Sequence, residues 1–245
     1  MIGLLGAYVR TDLRAIMRVP AFLVPTLAFP VLLYVFFGLP YAHDPQTAAV
    51  LMASYAAYGV LGVAIFQFGV NIANERGTSW ERFVRLLPAP IGIRMTSRMI
   101  TASVFAIATA VCVVACALLF GHARPSIIGV VSLFVVLLAA GIPFTLLGIA
   151  LGYWSSPKGA VPLANLIYLP LSLAGGLWIP PAFLPKIIKA VSPYMPTRHF
   201  GELVWAAVLA QPIPLASCAW LAGYSVLFGA IAYFGFRREQ ARRYA

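Results

Sequence analysis

Six stretches of the chain, each 23 to 34 residues long, contain no Asp, Glu, Lys, Arg or His. A helix of about 20 apolar residues crosses the hydrocarbon core of a bilayer, which is roughly 30 Å thick. Each stretch is long enough for one such helix, and none reaches the roughly 45 residues that two helices and a turn need. The spacing of the charges therefore predicts six transmembrane helices. The stretches are residues 19–42, 45–74, 99–121, 125–157, 159–185 and 203–236.

The composition supports a chain that lies mostly in lipid. Of 245 residues, 62% are hydrophobic and only 9% are charged, whereas soluble domains average about 45–50% and about 25%. This balance argues against a soluble enzyme, a disordered chain and a secreted disulfide scaffold. A membrane β-barrel would alternate apolar and polar residues in segments of about ten, but residues 31–37 and 130–138 are continuous apolar runs. We predict an all-α polytopic membrane protein.

Charge, periodicity and proline positions divide this single transmembrane domain, residues 1–245, into segments. Arg10, Arg14 and Arg18 follow one face of residues 2–18 and apolar side chains follow another, which is typical of a helix lying in the membrane interface. The alternative is a basic flank that only orients the first span. Prolines divide residues 182–210 into short outer or re-entrant helices. The predicted spans cover about residues 20–40, 48–73, 99–120, 127–153, 160–179 and 216–236.

The basic residues predict the orientation of the spans. Thirteen of the 17 Lys and Arg residues flank the spans on one side, and an excess of Lys and Arg marks the cytoplasmic side of a membrane protein. We therefore expect both termini in the cytoplasm and the chain in the cytoplasmic (inner) membrane. The net charge of +11 is then mainly a topology signal and an attraction to anionic lipid. No basic stripe carries interleaved aromatics, so nucleic-acid binding is not expected.

Motifs for nucleotide binding, metal-dependent catalysis and proton transfer are absent, but polar residues occur on the predicted outer side. The sequence contains no G-x-x-x-x-G-K-[ST] and no H-E-x-x-H motif, and its six acidic residues lie near span ends or in loops, which weakens a proton-relay interpretation. The outer-side histidines and carboxylates leave a second hypothesis open, a membrane enzyme or secondary transporter that uses them. These residues are His43, Asp44, His122, His199 and Glu202.

Polar and kinked positions within the spans suggest either helix packing or a substrate path. Four prolines in the first span predict a bent helix or two shorter pieces beside a cavity. Gln67 and Asn71 share a face of the second span, and Asn165, Tyr168 and Ser172 share a face of the fifth. Polar side chains inside spans usually pair with another helix, so packing between helices is the alternative to a substrate-facing wall.

A cytoplasmic segment at residues 75–88 has the pattern of a short amphipathic helix. Thr78 and Glu81 have the spacing of a capping box, and Trp80, Phe83 and Leu87 then share one face. Such a helix between two spans can dock a soluble partner. The alternative is a helix that rests on the lipid headgroups.

Two motifs of this chain resemble one family of transporters. Glu75-Arg76-Gly77-Thr78, Glu81-Arg82 and Leu87-Pro88-Ala89-Pro90 resemble the coupling-helix region of ATP-binding-cassette exporter permeases of the type-2 membrane-domain family. The block from Gly175 to Leu203 resembles the region between that family's fifth and sixth spans. Both motifs lie at the corresponding span positions, so the resemblance covers nearly the whole chain.

The resemblance implies a permease subunit that moves a drug, lipid, peptide or glycan across the membrane by alternating access. It implies a homodimer, or a heterodimer with a relative, that carries two ABC ATPase subunits on the cytoplasmic face. ATP and Mg would be bound by those partners, so no cofactor, metal or catalytic residue is expected on this chain.

The resemblance also implies three groups of functional residues. The ATPase-docking residues of the coupling helix would be Glu75, Arg76, Gly77, Thr78, Trp80, Glu81, Arg82, Phe83 and Arg85. The substrate pathway would include Pro25, Pro30, Tyr34, Asn165, Tyr168, Ser172 and Gly176. The outer gate would include Trp178, Pro180, Pro196, His199 and Glu202.

Overall fold

The described part of the chain is built from helices alone, which confirms the predicted all-α fold class. The computed structural model describes residues 2–76, 78 and 91–244. In chain order, its α-helices are α1 (Ile2–Met17), α2 (Pro20–Leu33), α3 (Pro45–Val63), α4 (Asn71–Glu75), α5 (Ile91–Phe120), α6 (Ile127–Ala139), α7 (Ile142–Trp154), α8 (Ala160–Ala174), α9 (Lys186–Val191), α10 (Pro196–Val208) and α11 (Leu215–Tyr244).

Among the described residues, five continuous helical segments are long and apolar enough to cross a membrane, so the protein is a polytopic membrane protein. The predicted fifth span corresponds to α8, which has only 15 residues and ends at Ala174. Helix α5 begins eight residues before the predicted start at 99, and α11 continues past the predicted end at 236. The five segments are Leu23–Tyr41, Pro45–Glu75, Met95–Phe120, Ile127–Trp154 and Leu215–Ala241.

The second span is the centre of the molecule. In its most apolar window 83% of the residues are buried, against 17% in the first and last spans. Helix α3 contacts α2, α5, α6, α8 and α10, and its sequence is rich in Ala and Gly. Small residues allow helices to approach closely where lipid supplies no hydrophobic driving force between them. The remaining helices are therefore arranged around this span.

Local sequence signals determine where two of the helices begin. The Oδ1 atom of Asp44 accepts hydrogen bonds from the backbone N–H groups of Gln46 and Thr47 at 3.0 and 2.9 Å, and Pro45 occupies the first helical position. Ser126 caps α6 in the same way through Gly129 N–H at 3.0 Å. Such caps satisfy the N–H groups that a helix leaves unpaired at its N-terminus.

The first and second spans both change helical pitch along their length. The first continues from α2 through a π-helical turn at Tyr34–Gly38 and a 3-10 turn at Leu39–Tyr41. Pro25 and Pro30 lie inside α2 and supply no backbone N–H to its hydrogen bonds. The second span passes through a π-helical stretch at Ala64–Val70 before α4. The prolines therefore mark a continuous helix of changing pitch rather than two separate pieces.

Helix α7 packs against the π-helical stretch of the second span through glycines. A Cβ atom on Gly148 would lie 2.3 Å from the carbonyl oxygen of Ala64, and one on Gly152 would lie 2.7 Å from Ile72 Cβ. Gly69 faces the same contact from the other side, where an added Cβ atom would lie 3.2 Å from the carbonyl oxygen of Gly148. The two helices can approach this closely only because these positions carry no side chain.

We expect Gly148→Ala to destabilise the protein by about 1–3 kcal/mol, because the added methyl group forces the two helices apart. Thermal unfolding of the purified protein in detergent measures the effect. Gly223→Ala is the matched control, because Gly223 lies in α11 with nothing within 4 Å of the added Cβ atom. Equal melting temperatures for both variants would contradict the close crossing.

Candidate functional site

The start of the predicted coupling segment lies within the described residues, and most of the segment does not. Glu75, Arg76 and Thr78 are described. The other predicted docking residues, and with them the capping box and the apolar face of the segment, lie outside the described residues. These docking residues are Gly77, Trp80, Glu81, Arg82, Phe83 and Arg85.

Arg76 connects the start of the segment to two spans. Its guanidinium donates to the carbonyl oxygens of Tyr153 at 2.8 Å and Ser155 at 2.5 Å, at the C-terminal end of α7. It also forms an ion pair of 3.0 Å with Glu239 of α11. A helix C-terminus carries partial negative charge, so a cation is favourable there. Arg76 therefore couples the position of the segment to the C-terminal ends of α7 and α11.

The neighbouring residue Glu75 provides a second connection, to the third span. Its carboxylate forms an ion pair with Arg98 of α5. One residue earlier in α5, the Ser97 hydroxyl donates to Asp12 of α1 at 2.6 Å. Because the ion pair is partly exposed, it adds little stability. Together these contacts hold α1, the second span and the third span together where the segment begins.

Five of the seven predicted pathway residues are buried within the subunit. The Tyr168 ring stacks on Tyr58 at 4.6 Å, and its hydroxyl donates to the Tyr58 carbonyl oxygen at 3.0 Å. The other buried ones are Pro30, Tyr34, Ser172 and Gly176. Pro25 and Asn165 are exposed on the surface of the subunit. The structure thus separates these residues into a packed interior group and a surface group.

An aromatic cluster joins the second span to the C-terminal end of α8. The Tyr55 hydroxyl donates to the carbonyl oxygen of Trp178 at 3.0 Å, and the Trp178 ring lies edge-on to Tyr58 at 5.6 Å. Tyr34 packs against Tyr55 at 5.8 Å. Within the described residues, Tyr34 Oη and Trp178 Nε1 are buried without a hydrogen-bond partner. The cluster therefore connects the first and second spans to α8 and the turn that follows it through ring contacts.

The predicted outer-gate residues are in two places. Trp178 and Pro180 follow α8, with Gly176 at φ +80° in the turn between, a conformation that glycine adopts without strain. Pro196 begins α10, which also carries His199 and Glu202. The Thr197 hydroxyl donates to the Leu171 carbonyl oxygen and joins α10 to α8. The two groups therefore meet around the C-terminal end of α8.

Glu202 is the centre of a polar network where α10 meets α11. Its carboxylate accepts from the Ser217 hydroxyl at 2.6 Å and from Arg198 Nε at 2.8 Å. Burial raises the pKa of Glu202, but the bonds from Ser217 and Arg198 and the charges of Arg198 and His199 outweigh burial. The net pKa is lower than the ordinary value of a Glu. The carboxylate is therefore held ionised where α10 meets α11.

His199 belongs to the same network. Its ring stacks on Trp220 at 5.2 Å, and its Nδ1 lies 3.2 Å from the Ser217 hydroxyl. His43 and His122 are exposed elsewhere, and no group of three metal-ligating side chains occurs among the described residues. Ser217 is buried and its hydroxyl donates a hydrogen bond to Glu202, whereas a nucleophilic serine donates to histidine. This geometry favours an anchor between helices over a catalytic group.

Several residues of these contacts were missed in the sequence. The Trp205 Nε1 atom donates to the Ser54 hydroxyl at 2.7 Å, and Glu239 pairs with Arg76 across 163 residues of sequence. Partners so far apart leave no local pattern. Tyr55 and Tyr58 carried a signal, since they are the large aromatic residues one turn apart in a helix of small ones.

The class of protein follows from these features: a multi-pass helical membrane protein without a buried catalytic arrangement among its described residues. The sequence profile of the family "ABC-2 type transporter" matches residues 4–209. The chain is also 25% identical over 242 residues to a protein named "Putative transport permease YvfS" from Bacillus subtilis (strain 168), covering 94% of this chain and 96% of the relative. The chain therefore belongs to the ABC-2 type transporter family, and it is a transport permease of the kind that associates with an ABC ATPase.

We expect Glu202→Gln to cost about 1–3 kcal/mol of stability at pH 7, the usual value of hydrogen bonds to a charged group. Because the pKa of Glu202 is lowered by folding, its contribution is complete above the unfolded-state pKa and is lost as the pH falls through the folded-state pKa. Wild-type melting temperature should therefore fall in acid more steeply than that of Glu202→Gln. Ser217→Ala removes a hydrogen bond that lowers the pKa of Glu202, so its melting temperature should begin to fall at a higher pH than that of the wild type. Identical acid profiles for all three proteins would contradict the network.

Proposed function

We propose that this chain is the permease subunit of an ATP-driven exporter that moves its substrate outward by alternating access. The observation that carries the proposal is the attachment of residues 75 and 76 to three spans, through Arg98, the end of α7 and Glu239. A force applied to residues 75–88 would reach these spans directly. A bistable arrangement of packed helices can convert such a displacement into an inward-open or outward-open state.

The energy would come from a partner chain. The sequence has no P-loop, and two ABC ATPase subunits, holding ATP and Mg, would dock on the cytoplasmic face. No cofactor on this chain is then needed. The docking surface would be Glu75, Arg76, Gly77, Thr78, Trp80, Glu81, Arg82, Phe83 and Arg85.

Two copies of this chain would form the transporter. In the first span only 17% of the most apolar window is buried in the subunit, and α8 exposes Asn165 among apolar side chains such as Leu166. A polar amide is unfavourable against lipid tails, so burial of this face against a second copy supports a homodimer. Pro25 and Asn165 would then face the route at the dimer interface.

The substrate would pass between the first and fifth spans of the two subunits. The buried members of the pathway, such as Tyr34 and Tyr168, would position the wall rather than contact the substrate. The outer gate would be formed where Trp178 and Pro180 meet α10, which the Glu202 network attaches to the last span. Drugs, lipids, peptides and glycans are the substrate classes that such a route would accept.

The membrane orientation is part of the proposal. Arg10 and Arg14 on α1 and Arg18 just after it are exposed, and α11 extends through Arg237 and Arg238 at the other end of the chain. Basic side chains at both termini favour the anionic cytoplasmic leaflet. We therefore place both termini in the cytoplasm and the protein in the inner membrane.

We expect Phe83→Ala and Glu81→Arg to weaken binding of the ATPase by about tenfold or more, the usual effect of losing an interface hot spot. Co-purification with the partner ABC ATPase measures this. Arg124→Ala, on the proposed outer side, is the control and should bind normally. Docking through residues 75–88 is wrong if both segment variants retain full ATPase binding.

We expect Arg76→Gln to uncouple the ATPase without releasing it, because the segment remains but its bonds to Tyr153, Ser155 and Glu239 are lost. The ATPase activity of the partner is measured alone and in complex with the wild-type or Arg76→Gln subunit. Co-purification shows in parallel whether the ATPase still binds. Wild-type stimulation by Arg76→Gln would contradict the role of this contact. Transport by the chain alone without ATP would overturn the exporter proposal itself.

A further inference from the structure

A polar cavity of about 120 Å³ lies between α1, the cytoplasmic end of the second span and the start of α5. Its position is separate from the proposed substrate route between the first and fifth spans. Apolar contacts come from α1 and Phe68. The polar residues that line it are Asp12, Gln67, Asn71, Glu75, Arg98 and Thr101.

Two polar side chains that line the cavity are buried and unpaired. Gln67 is 9% exposed and Thr101 is 1% exposed. Within the described residues, Gln67 Oε1 and Thr101 Oγ1 have no hydrogen-bond partner. An unsatisfied buried polar atom costs about 1–3 kcal/mol. Both atoms therefore favour a ligand that supplies hydrogen bonds inside this cavity.

The charges around the cavity favour a cation. Its lining contains two carboxylates and one guanidinium. Arg98 pairs with Glu75, whereas Asp12 accepts from the neutral Ser97 hydroxyl at 2.6 Å. No ion pair of Asp12 occurs among the described residues. One formal negative charge is thus left for a ligand with one positive charge.

The geometry points to a primary ammonium group, and we propose that this cavity binds one. An alkylammonium has three N–H donors, which match the three acceptors Asp12, Gln67 Oε1 and Thr101 Oγ1. A calcium ion takes about six to eight oxygen ligands, more than these three acceptors provide, and a divalent charge would exceed the single formal negative charge left in the cavity. The volume is that of about four water molecules at roughly 30 Å³ each, which suits a group of the size of ethylammonium.

Two sources could supply this ammonium. Helix α1 exposes Arg10 and Arg14 and lies at the proposed cytoplasmic headgroup level, where the ethanolamine headgroup of a phospholipid is available. A small free amine in the cytoplasm has the same chemistry. In either case the ligand would join α1, the second span and the third span beside Glu75. This binding site is additional to the proposed transport function and does not depend on it.

The first experiment uses the wild-type chain purified in detergent. Ethylammonium chloride is titrated against melting temperature, with tetramethylammonium chloride at equal ionic strength as the control, because that cation has no N–H donor. We expect the melting temperature to rise with ethylammonium alone, as for any ligand that binds the folded state. Equal effects of the two salts, or none, would overturn the proposal.

Paired variants test the location of the site. We expect Thr101→Val and Asp12→Asn to weaken the ethylammonium effect by about tenfold or more, because each removes an acceptor or the charge. Thr109→Val is the matched control for the first, since Thr109 is a second buried threonine on α5 with an unpaired Oγ1 that does not line the cavity. Asp44→Asn, on the proposed outer side, is the control for the second. An undiminished effect in both cavity variants would overturn the location.

Native mass spectrometry distinguishes the two sources. The chain is reconstituted with phosphatidylethanolamine or phosphatidylcholine, whose headgroup has no N–H donor. Retention of phosphatidylethanolamine that ethylammonium displaces supports the lipid source. Ethylammonium binding without preferential lipid retention supports the free amine. Equal retention of both lipids together with no ethylammonium binding would overturn the proposal.

Discussion

The close packing of small residues along the second span is the contact on which the other features of this subunit depend. In lipid, helices gain little from burying apolar surface, so association relies on close approach and internal hydrogen bonds. Gly148 and Gly69 bring α7 against the second span, and Gly59 admits Pro30 and Thr109 from the neighbouring spans. With this span enclosed, its two ends are positioned to carry the polar contacts: the aromatic cluster in its N-terminal half, and Glu75 with Arg76 at its C-terminal end.

The polar contacts connect helices that the apolar packing brings together. Arg76 joins the second span to α7 and α11, and Glu202 joins α10 to α11. Both use charged groups that are only partly buried, which limits the desolvation cost of placing charge near a membrane. Such contacts stabilise the subunit modestly and fix which helix ends lie together.

How much of this could be predicted differs between the helices and the site. Long apolar runs without charge predicted the spans. In hydrocarbon, which contains no water, the backbone N–H and C=O groups of such a run can form their hydrogen bonds only within a helix. The ends of the helices were harder, because α5 begins at Ile91 and includes Arg98, a charge that the sequence placed before the span. Arg98 lies within the helix with its charge paired to Glu75. Tyr168 and Ser172 were predicted to share a face of α8, but their burial within the subunit was not predictable.

The sequence by itself determined the class of the protein, because scarce charges at intervals of 23 to 34 residues permit only membrane helices, and the motifs at residues 75–90 and 175–203 indicated the family. Only the tertiary structure decided which polar residues meet. Arg76 and Glu239 are 163 residues apart, and Asp12 and Ser97 are 85 apart. Periodicity describes the face of one helix, whereas these contacts depend on how several helices cross. The crossing is set by three-dimensional packing at glycines such as Gly148, and no local pattern contains it.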